Sequence, residues 1–303
     1  MLCLIRRNPK SQGCGAFPVA GRSLLRRQLQ SLRAHGIEQI AVELHEDGSG
    51  EHARRMLADE PALARDARVV TGADEMSSRD MVEAAGIALP HHFLVIREAT
   101  LMGFDPAWLF RMAIPGESVE GEVSSLSWWF DPLALTRVWL LSREDTEPVR
   151  SMVPGWALEI TSAGAALRAG GAALDGRLLA EAVGASSAVV VHGAHWGAGV
   201  WVAKGAKIDP RAHVVGPVFV GPQAVVLEGA SVGPFVDLGA GCLVEPGAKV
   251  RDAIVEPNTI IGEGLSVTGC VASPRGMRGL SGEGPFIDLR DPLLLGERRV
   301  VLP

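Results

Sequence analysis

The residues best suited to chemistry lie just after the first apolar stretch, MLCLI (1–5). Five of them suit phosphate binding: Arg6, Arg7, Lys10, Gly13 and Gly15. Guanidinium and ammonium groups pair with phosphate oxygens, and glycines let the backbone bend so that its N–H groups face an anion. The stretch therefore predicts a loop that binds a nucleotide or another phosphate. The alternative is a solvated basic loop.

The elements around this loop alternate between strands and helices. SLLRRQLQSLRAHGI (23–37) carries its leucines on one face and ends at a glycine, which predicts an amphipathic helix. MLCLI, EQIAVEL (38–44) and HHFLVI (91–96) predict buried strands, and RDMVEAAGIAL (79–89) predicts a second helix. Such alternation indicates a parallel sheet with helices on both faces.

The C-terminal half repeats with a period of six. An aliphatic or aromatic residue recurs every six positions from Val190 through Trp196 to Val250, and a second, mostly small series runs from Ala194 to Ile254. A five-residue step then shifts the register. Neither a helix, with a period of 3.6, nor a strand, with a period of 2, produces this pattern. It is similar to the left-handed parallel β-helix of hexapeptide-repeat proteins, whose corners would use the 36 Gly and 19 Pro of the chain.

Three segments of the first half resemble a known family in sequence and in order. They are FPVAGRSLLRRQLQSLRAHGIEQIAVEL (17–44), LSWWFDP (126–132) and GWALEITSAGAALRA (155–169). They look like parts of the sugar-phosphate nucleotidyltransferases, or NDP-sugar pyrophosphorylases, many of which carry a hexapeptide β-helix after the catalytic domain.

The resemblance implies two folded domains and a tail. Residues 1–187 would form an α/β nucleotidyltransferase-like (Rossmann-like) domain, and residues 188–273 a left-handed β-helix. Residues 274–303 would be a C-terminal tail that caps the open end of the β-helix or docks on a partner.

The residues that carry the chemistry of this family are largely missing. Its GGxGTRL loop is replaced by RRNPKSQGCGA (6–16), its lysine falls at Cys14, and its metal-binding aspartate falls at Ala99. Glu159 is the acidic residue that remains, as a vestigial catalytic group. A lone carboxylate holds Mg²⁺ poorly, so the resemblance implies no metal site and no cofactor, with Mg²⁺ required only if the chain is active.

A shifted alignment would let one of two acidic residues replace the lost aspartate. These are Glu98 and Asp105. Neither restores the full set of residues, so we interpret the first domain as a degenerate nucleotidyltransferase.

Three hypotheses for the function follow. The first is a nucleotidyltransferase-like pseudoenzyme that serves as a scaffold or regulatory subunit in sugar-nucleotide or polysaccharide biosynthesis. The second is an active sugar-1-phosphate nucleotidyltransferase with an atypical phosphate loop. The third is a hexapeptide-repeat acyltransferase that uses His192, His195 or His213 as its general base.

The predicted partners are a homo-oligomer or an active nucleotidyltransferase relative, with a nucleotide or a sugar phosphate as the ligand. The oligomer prediction depends on apolar residues at outward positions of the repeat, which would form a patch on a rigid wall. They are Trp201, Phe219, Phe235 and Leu243.

Charge and cysteine usage exclude other classes of protein. With 29 basic and 35 acidic residues the net charge is -6, which gives nucleic acid no general attraction. The four cysteines form no CxxC pair, which argues against a zinc site or a disulfide framework. No apolar run approaches the roughly 20 residues that span a bilayer. We expect a cytoplasmic protein without a membrane span.

Overall fold

The computed structural model describes residues 1–7, 14–44, 48–71, 76–126, 135–144, 146–180, 189–282, 284–289 and 291–298. The chain forms two compact units. Among the described residues, the first unit comprises Met1–Phe17 and Ser23–Thr161, and the second comprises Pro18–Arg22, Ser162–Ala180 and the chain from Val189 onwards. The second unit thus includes two segments that precede the repeat. The domain boundaries expected at 187 and 273 stay predictions.

The described elements are short, and the strands outnumber the helices. The helices are α1 (Leu24–Ala34), α2 (Gly48–Asp59), α3 (Pro61–Ala64), α4 (Ser78–Ala84), α5 (Ala107–Met112), α6 (Ala163–Leu174) and α7 (Arg177–Ala180), with a 3-10 turn at Cys14–Ala16. The strands before residue 162 are β1 (Leu2–Arg6), β2 (Pro18–Val19), β3 (Arg22–Ser23), β4 (Gln39–Leu44), β5 (Ala67–Thr71), β6 (His92–Arg97), β7 (Thr100–Phe104), β8 (Val119–Ser124), β9 (Leu135–Ser142) and β10 (Val149–Glu159).

The strands of the repeat region and the tail are two to four residues long. They are β11 (Ala194–Gly197), β12 (Val200–Val202), β13 (Lys207–Ile208), β14 (His213–Val214), β15 (Val218–Val220), β16 (Val225–Val226), β17 (Ser231–Val232), β18 (Val236–Leu238), β19 (Leu243–Val244), β20 (Lys249–Arg251), β21 (Ala253–Val255), β22 (Thr259–Ile261), β23 (Ser266–Thr268), β24 (Cys270–Ser273), β25 (Gly276–Gly279), β26 (Ile287–Asp288) and β27 (Leu295–Glu297).

The first unit is built on an eight-stranded mixed sheet with the strand order β5-β4-β1-β6-β9-β8-β10-β7. The first four of these strands are parallel, and β9 runs antiparallel to β6 and to β8. β7 follows β6 after a two-residue turn, yet it pairs with β10 at the other end of the strand order. The sheet is therefore curled. This α/β unit fits the Rossmann-like domain that the sequence predicts.

Helix α1 forms as its sequence pattern predicts. It begins at Ser23, whose side-chain oxygen accepts the N–H of Arg26, and it ends just before Gly36, whose φ is +75°. Only glycine adopts this φ without strain, so it stops the helix. The face that packs on the core consists of Leu24, Leu25, Leu29 and Leu32, all buried.

The second unit contains three sheets of short, mainly parallel strands. The first sheet has the order β11-β12-β15-β18-β21-β24-β25-β26, the second β13-β16-β19-β22-β27, and the third β14-β17-β20-β23. Val200 pairs with Val218 and Val218 with Val236, so paired strands are 18 residues apart, which is three periods of six. This arrangement is consistent with a β-helix.

The two apolar series of the repeat form the core of the second unit over most of their length. From Val220 to Val250, every residue of the aliphatic series is at most 1% exposed, and from Val218 to Ala248 the same holds for the second series. Because no water reaches these positions, each aliphatic side chain there contributes about 1.5–3 kcal/mol by burial.

The start of the repeat differs from the prediction. Val190 and Trp196, assigned to the core from the sequence, are 52% and 61% exposed. Trp196 lies on β11, which is the outermost strand of the first sheet and pairs antiparallel with β12. The second and third sheets begin at β13 and β14, among the described strands, and give β11 no counterpart. Without strands on the other two sides, Trp196 is not enclosed.

The end of the repeat is shifted by one residue. Val236 pairs with Ala253, a separation of 17 instead of 18, so Ala253 takes the position that the sequence analysis gave to Ile254. Ile254 pairs with the neighbouring outward position, Asp237. The aliphatic series then continues at Val255, which is 1% exposed. The predicted five-residue step is thus present.

The chain after the repeat forms strands at the ends of two sheets. β25 pairs antiparallel with β24 at the end of the first sheet, and β27 pairs antiparallel with β22 at the end of the second. Unpaired strand edges recruit other chains, and these antiparallel strands cover two such edges. Capping is one of the two roles expected of the tail.

Candidate functional site

The side chains at the carboxyl ends of the parallel strands form the candidate site of the first unit. Arg6 ends β1, Arg97 ends β6, and Glu43 is the last residue but one of β4. Arg6 and Arg97 are register partners, and Ile5 pairs with the residue before Glu43. Parallel strands present their carboxyl ends at one edge of a sheet, so the three residues lie on neighbouring strands at that edge.

Glu43 accepts three hydrogen bonds from the residues that follow β1. Its Oε2 accepts from Nε of Arg6 at 2.9 Å and from the backbone N–H of Arg7 at 3.1 Å, and its Oε1 accepts from Nε of Arg7 at 3.2 Å. The residue is 1% exposed. Burial by itself raises the pKa of Glu43, but the hydrogen bonds and charges of the two arginines outweigh it and hold this pKa below its ordinary value.

Arg6 makes two further contacts with neutral groups. Its Nη1 donates to Oγ of Ser78 at 3.2 Å and its Nη2 to the carbonyl of Met76 at 2.7 Å. The two arginines that the sequence assigns to phosphate are therefore both directed at Glu43. Phosphate binding by them stays a prediction, and Lys10 and Gly13 of the same predicted loop lie outside the described residues.

Gly15 lies against a second glutamate at this edge. Its N–H donates to Oε1 of Glu98 at 3.3 Å, and a Cβ at position 15 would stand 2.5 Å from that oxygen. Any other residue at position 15 would therefore force the Glu98 side chain to move. The backbone N–H of Glu98 donates to the carbonyl of Arg6, which ties the turn after β6 to the end of β1.

Ala99 occupies the position at which the resemblance places a metal-binding aspartate. It is fully buried, its φ is +61°, and its carbonyl accepts the N–H of Ile160 at 2.9 Å. An alanine side chain offers no ligand to a cation. Glutamates flank it in the fold: Glu98 precedes it in the chain, and Glu159 precedes Ile160, whose N–H its carbonyl accepts.

Glu159, the vestigial acid, is paired with an arginine. Its Oε1 lies 3.4 Å from Nη1 of Arg97, whose guanidinium also lies 5.5 Å from the ring centroid of Trp139.

Glu98 lies before the start of β7, and Asp105 directly follows the end of the same strand. Asp105 pairs with Arg111 and accepts the N–H of Ala107. The two proposed replacements therefore lie at opposite ends of one strand. Among the described residues, no group of three or more His, Cys, Asp or Glu could hold a metal ion.

The three histidines proposed as acyltransferase bases, His192, His195 and His213, are exposed. His195 lies on β11 and His213 on β14, in different sheets. The ring centroid of His195 is 4.9 Å from that of Trp201 in a tilted arrangement.

The outward aromatic residues of the repeat contact other parts of the second unit: Phe219 is buried, whereas Trp201 and Phe235 are half-buried. The oligomer stays a prediction. Phe219 is 4% exposed, and a Cβ at Gly21 would stand 2.0 Å from its ring. The ring of Phe235 lies against Gly171 of α6. The indole N–H of Trp201 donates to the carbonyl of Leu174 at 3.0 Å. The early segment 18–22 and α6 therefore take the place of a partner on the first sheet.

Sequence reasoning missed Asp237, which holds segment 18–22 on the first sheet. The residue is 4% exposed, and its Oδ2 accepts the N–H of Gly21 at 2.8 Å. The signal in the sequence that could have identified it is an acidic residue at an outward position of the repeat, between two apolar residues. A buried acidic residue needs such donors, but the sequence does not show where they come from.

Comparisons with known proteins give a short sequence match and distant structural likenesses. No protein-family model matches the chain. Over 50 residues, 16% of the chain, it is 42% identical to a probable mannose-1-phosphate guanyltransferase of Schizosaccharomyces pombe (strain 972 / ATCC 24843), and the match spans 12% of the length of that relative. The crystal structure of HddC from Yersinia pseudotuberculosis aligns with a TM-score of 0.40 at 9% identity, over 53% of this chain and 93% of that chain.

Among the described residues, none of the helices combines the length and the apolar character that crossing a membrane requires. The sequence match supports a partial, nucleotidyltransferase-like relationship for this chain.

Proposed function

We propose that this protein is a nucleotidyltransferase-like pseudoenzyme that acts as a scaffold or regulatory subunit in sugar-nucleotide or polysaccharide metabolism. The observation that carries the proposal is the buried Ala99 in the turn between β6 and β7. Nucleotidyl transfer needs a carboxylate-bound cation to neutralise the charge that develops on the phosphates. A buried methyl group at that position supplies no ligand.

The charges around Ala99 support the same proposal. Glu159 lies against Arg97, and Arg6 and Arg7 lie against Glu43. Each arginine therefore already has a carboxylate partner, so a triphosphate would have to compete with it. Nucleotide affinity is then weak, sensitive to salt and little dependent on the base.

The second unit supplies the binding surface in this proposal. Its three sheets and its 18-residue pairing interval support a left-handed β-helix of hexapeptide repeats. The first sheet is covered on its outward side by segment 18–22 and α6, so we assign the contact with a second copy or an active relative to the second or the third sheet. Leu243, which is half-buried, is the residue of the predicted patch that lies on the second sheet.

A pyrophosphate-release assay tests whether catalysis is absent. The full-length protein is supplied with Mg²⁺ and a panel of nucleoside triphosphates and sugar 1-phosphates, beginning with GTP and mannose 1-phosphate because the matched relative is named for them. An active mannose-1-phosphate guanyltransferase serves as the positive control. We expect no release above background. Turnover by the wild type that disappears in Glu159→Ala would refute the pseudoenzyme.

The scaffold role has its own test. The protein is titrated into an active mannose-1-phosphate guanyltransferase from the same cells, and complex formation is followed by sedimentation together with the turnover number of the enzyme. We expect a complex of defined stoichiometry and a changed turnover number. Unchanged sedimentation and unchanged turnover at micromolar concentrations would contradict a regulatory subunit.

A further inference from the structure

The carboxylate of Glu43 lies where the donors after β1 converge. Two guanidinium Nε atoms and one backbone N–H reach its two oxygens, at 2.9, 3.2 and 3.1 Å. Guanidinium groups combined with a backbone N–H are donors that proteins use for phosphate groups. A carboxylate offers these donors the same kind of acceptor, two oxygens that share a negative charge.

We infer that Glu43 is a built-in anion that occupies a phosphate-binding site formed by Arg6, Arg7 and the backbone N–H of Arg7. We call this the Glu43 site. The inference rests on the proposed function and deepens it, because it gives a physical reason for the weak nucleotide affinity that the proposal expects. The ligand class that the site would take, once the carboxylate is removed, is an anionic phosphate or diphosphate group.

The burial of the three side chains supports this reading. The Glu43 side chain is 2% exposed, whereas those of Arg6 and Arg7 are 22% and 17% exposed. The carboxylate therefore lies beneath the two guanidinium groups, and these form the solvent-facing side of the site. Removing Glu43 takes away the acceptor that these donors share, and an anion from solution would then take its place.

The neutral contacts of Arg6 would hold its guanidinium in place without Glu43. Ser78 Oγ and the Met76 carbonyl accept from its Nη atoms, and Ser78 is the first residue of α4. The backbone N–H of Arg7 directly follows Arg6, which is held without Glu43 by its pairing with Arg97 and by the N–H of Glu98, donated to its carbonyl. Two of the three donors are thus preorganised for an anion.

The first unit offers a matched control. Glu120 on β8 also lies between two arginines, with its carboxylate oxygens 3.2 Å from Arg137 Nε and 3.5 Å from Arg150 Nε. These arginines are 52% and 67% exposed. Among the described contacts of Glu120, none is with a backbone N–H. Solvent screens such exposed charges. Removing Glu120 therefore leaves two arginines but no phosphate site.

The experiment measures binding of inorganic pyrophosphate by titration calorimetry to the full-length wild type, Glu43→Ala and Glu120→Ala. Pyrophosphate carries the phosphate chemistry without a base or a sugar. We expect Glu43→Ala to bind it at least tenfold more tightly than the wild type, and Glu120→Ala to bind it no better than the wild type. Adding Arg7→Ala to Glu43→Ala should abolish the gain.

Glu43→Gln is a second variant that keeps the inference testable if Glu43→Ala does not fold. The glutamine keeps the shape and one acceptor, so it preserves the packing while removing the negative charge, and a smaller gain in pyrophosphate affinity is expected. If Glu43→Ala unfolds, the glutamine variant decides. Folded Glu43 variants without any gain would overturn the inference, as would an equal gain in Glu120→Ala. Either result leaves the turnover assay unaffected, and wild-type turnover would refute the pseudoenzyme but not the Glu43 site.

Discussion

Truncation of Phe219 tests how the second unit is covered. The side chain points outward from the first sheet, yet it is 4% exposed because segment 18–22 lies over its ring at Gly21. Replacing a buried phenylalanine by alanine removes its transfer free energy and leaves a cavity, which costs about 3–5 kcal/mol. Leu243 points outward from the second sheet and is half-buried. Truncating Leu243 to alanine removes only part of the free energy that a fully buried leucine contributes, so the expected loss is about 1 kcal/mol.

The assay is thermal unfolding of the full-length protein, followed through the transition of the second unit. At about 2–4 °C per kcal/mol, Phe219→Ala lowers the Tm by roughly 6–20 °C. Leu243→Ala, the matched control on the neighbouring sheet, lowers it by about 2–4 °C. Equal shifts for the two variants would mean that both outward faces are solvated and that segment 18–22 does not cover the first sheet.

Three further predictions concern the cores and the charged edge. Val232→Asp buries an unpaired charge and should cost several kcal/mol in chemical denaturation, of the order of 3–5, whereas Lys249→Glu on the exposed side of the same unit should be nearly neutral. Because the pKa of Glu43 is lowered in the folded protein, its pairing stabilises above the ordinary glutamate pKa of about 4.3 and is lost as the pH falls through the folded value. Denaturation midpoints of the wild type should therefore fall more steeply below about pH 4 than those of Glu43→Gln. Burial raises the pKa of Cys242 to about 12, so its peptide should stay unalkylated by iodoacetamide at pH 8 until the protein unfolds.

Each of these predictions has a clear contrary outcome. Equal stabilities of Val232→Asp and Lys249→Glu would refute the register of the repeat. Parallel pH profiles of the wild type and Glu43→Gln would show that Glu43 contributes nothing to acid unfolding. Alkylation of the Cys242 peptide in the native protein at the rate seen in denaturant would contradict its burial.

The position of the charged edge follows from the sequence, but its chemistry does not. The pattern of MLCLI places Arg6 and Arg7 at the end of a buried strand, and the structure agrees. Their partner, Glu43, is 36 and 37 residues away in the chain. It becomes their neighbour because β1 and β4 pair in parallel in one particular register. Sequence reasoning therefore identified the cations and missed the anion that they hold.

Local periodicity determined much of this protein from its sequence alone. The leucine face of α1, the buried strand β1 and the inward series from Val220 to Val250 all follow from side-chain spacing, because spacing sets which residues share a face. Tertiary structure alone decided whether an outward face meets water. Phe219 is at an outward position of the repeat, yet it is only 4% exposed. Segment 18–22, almost 200 residues before it in the chain, packs over its ring, and such a contact between distant parts of the chain leaves no trace in local spacing.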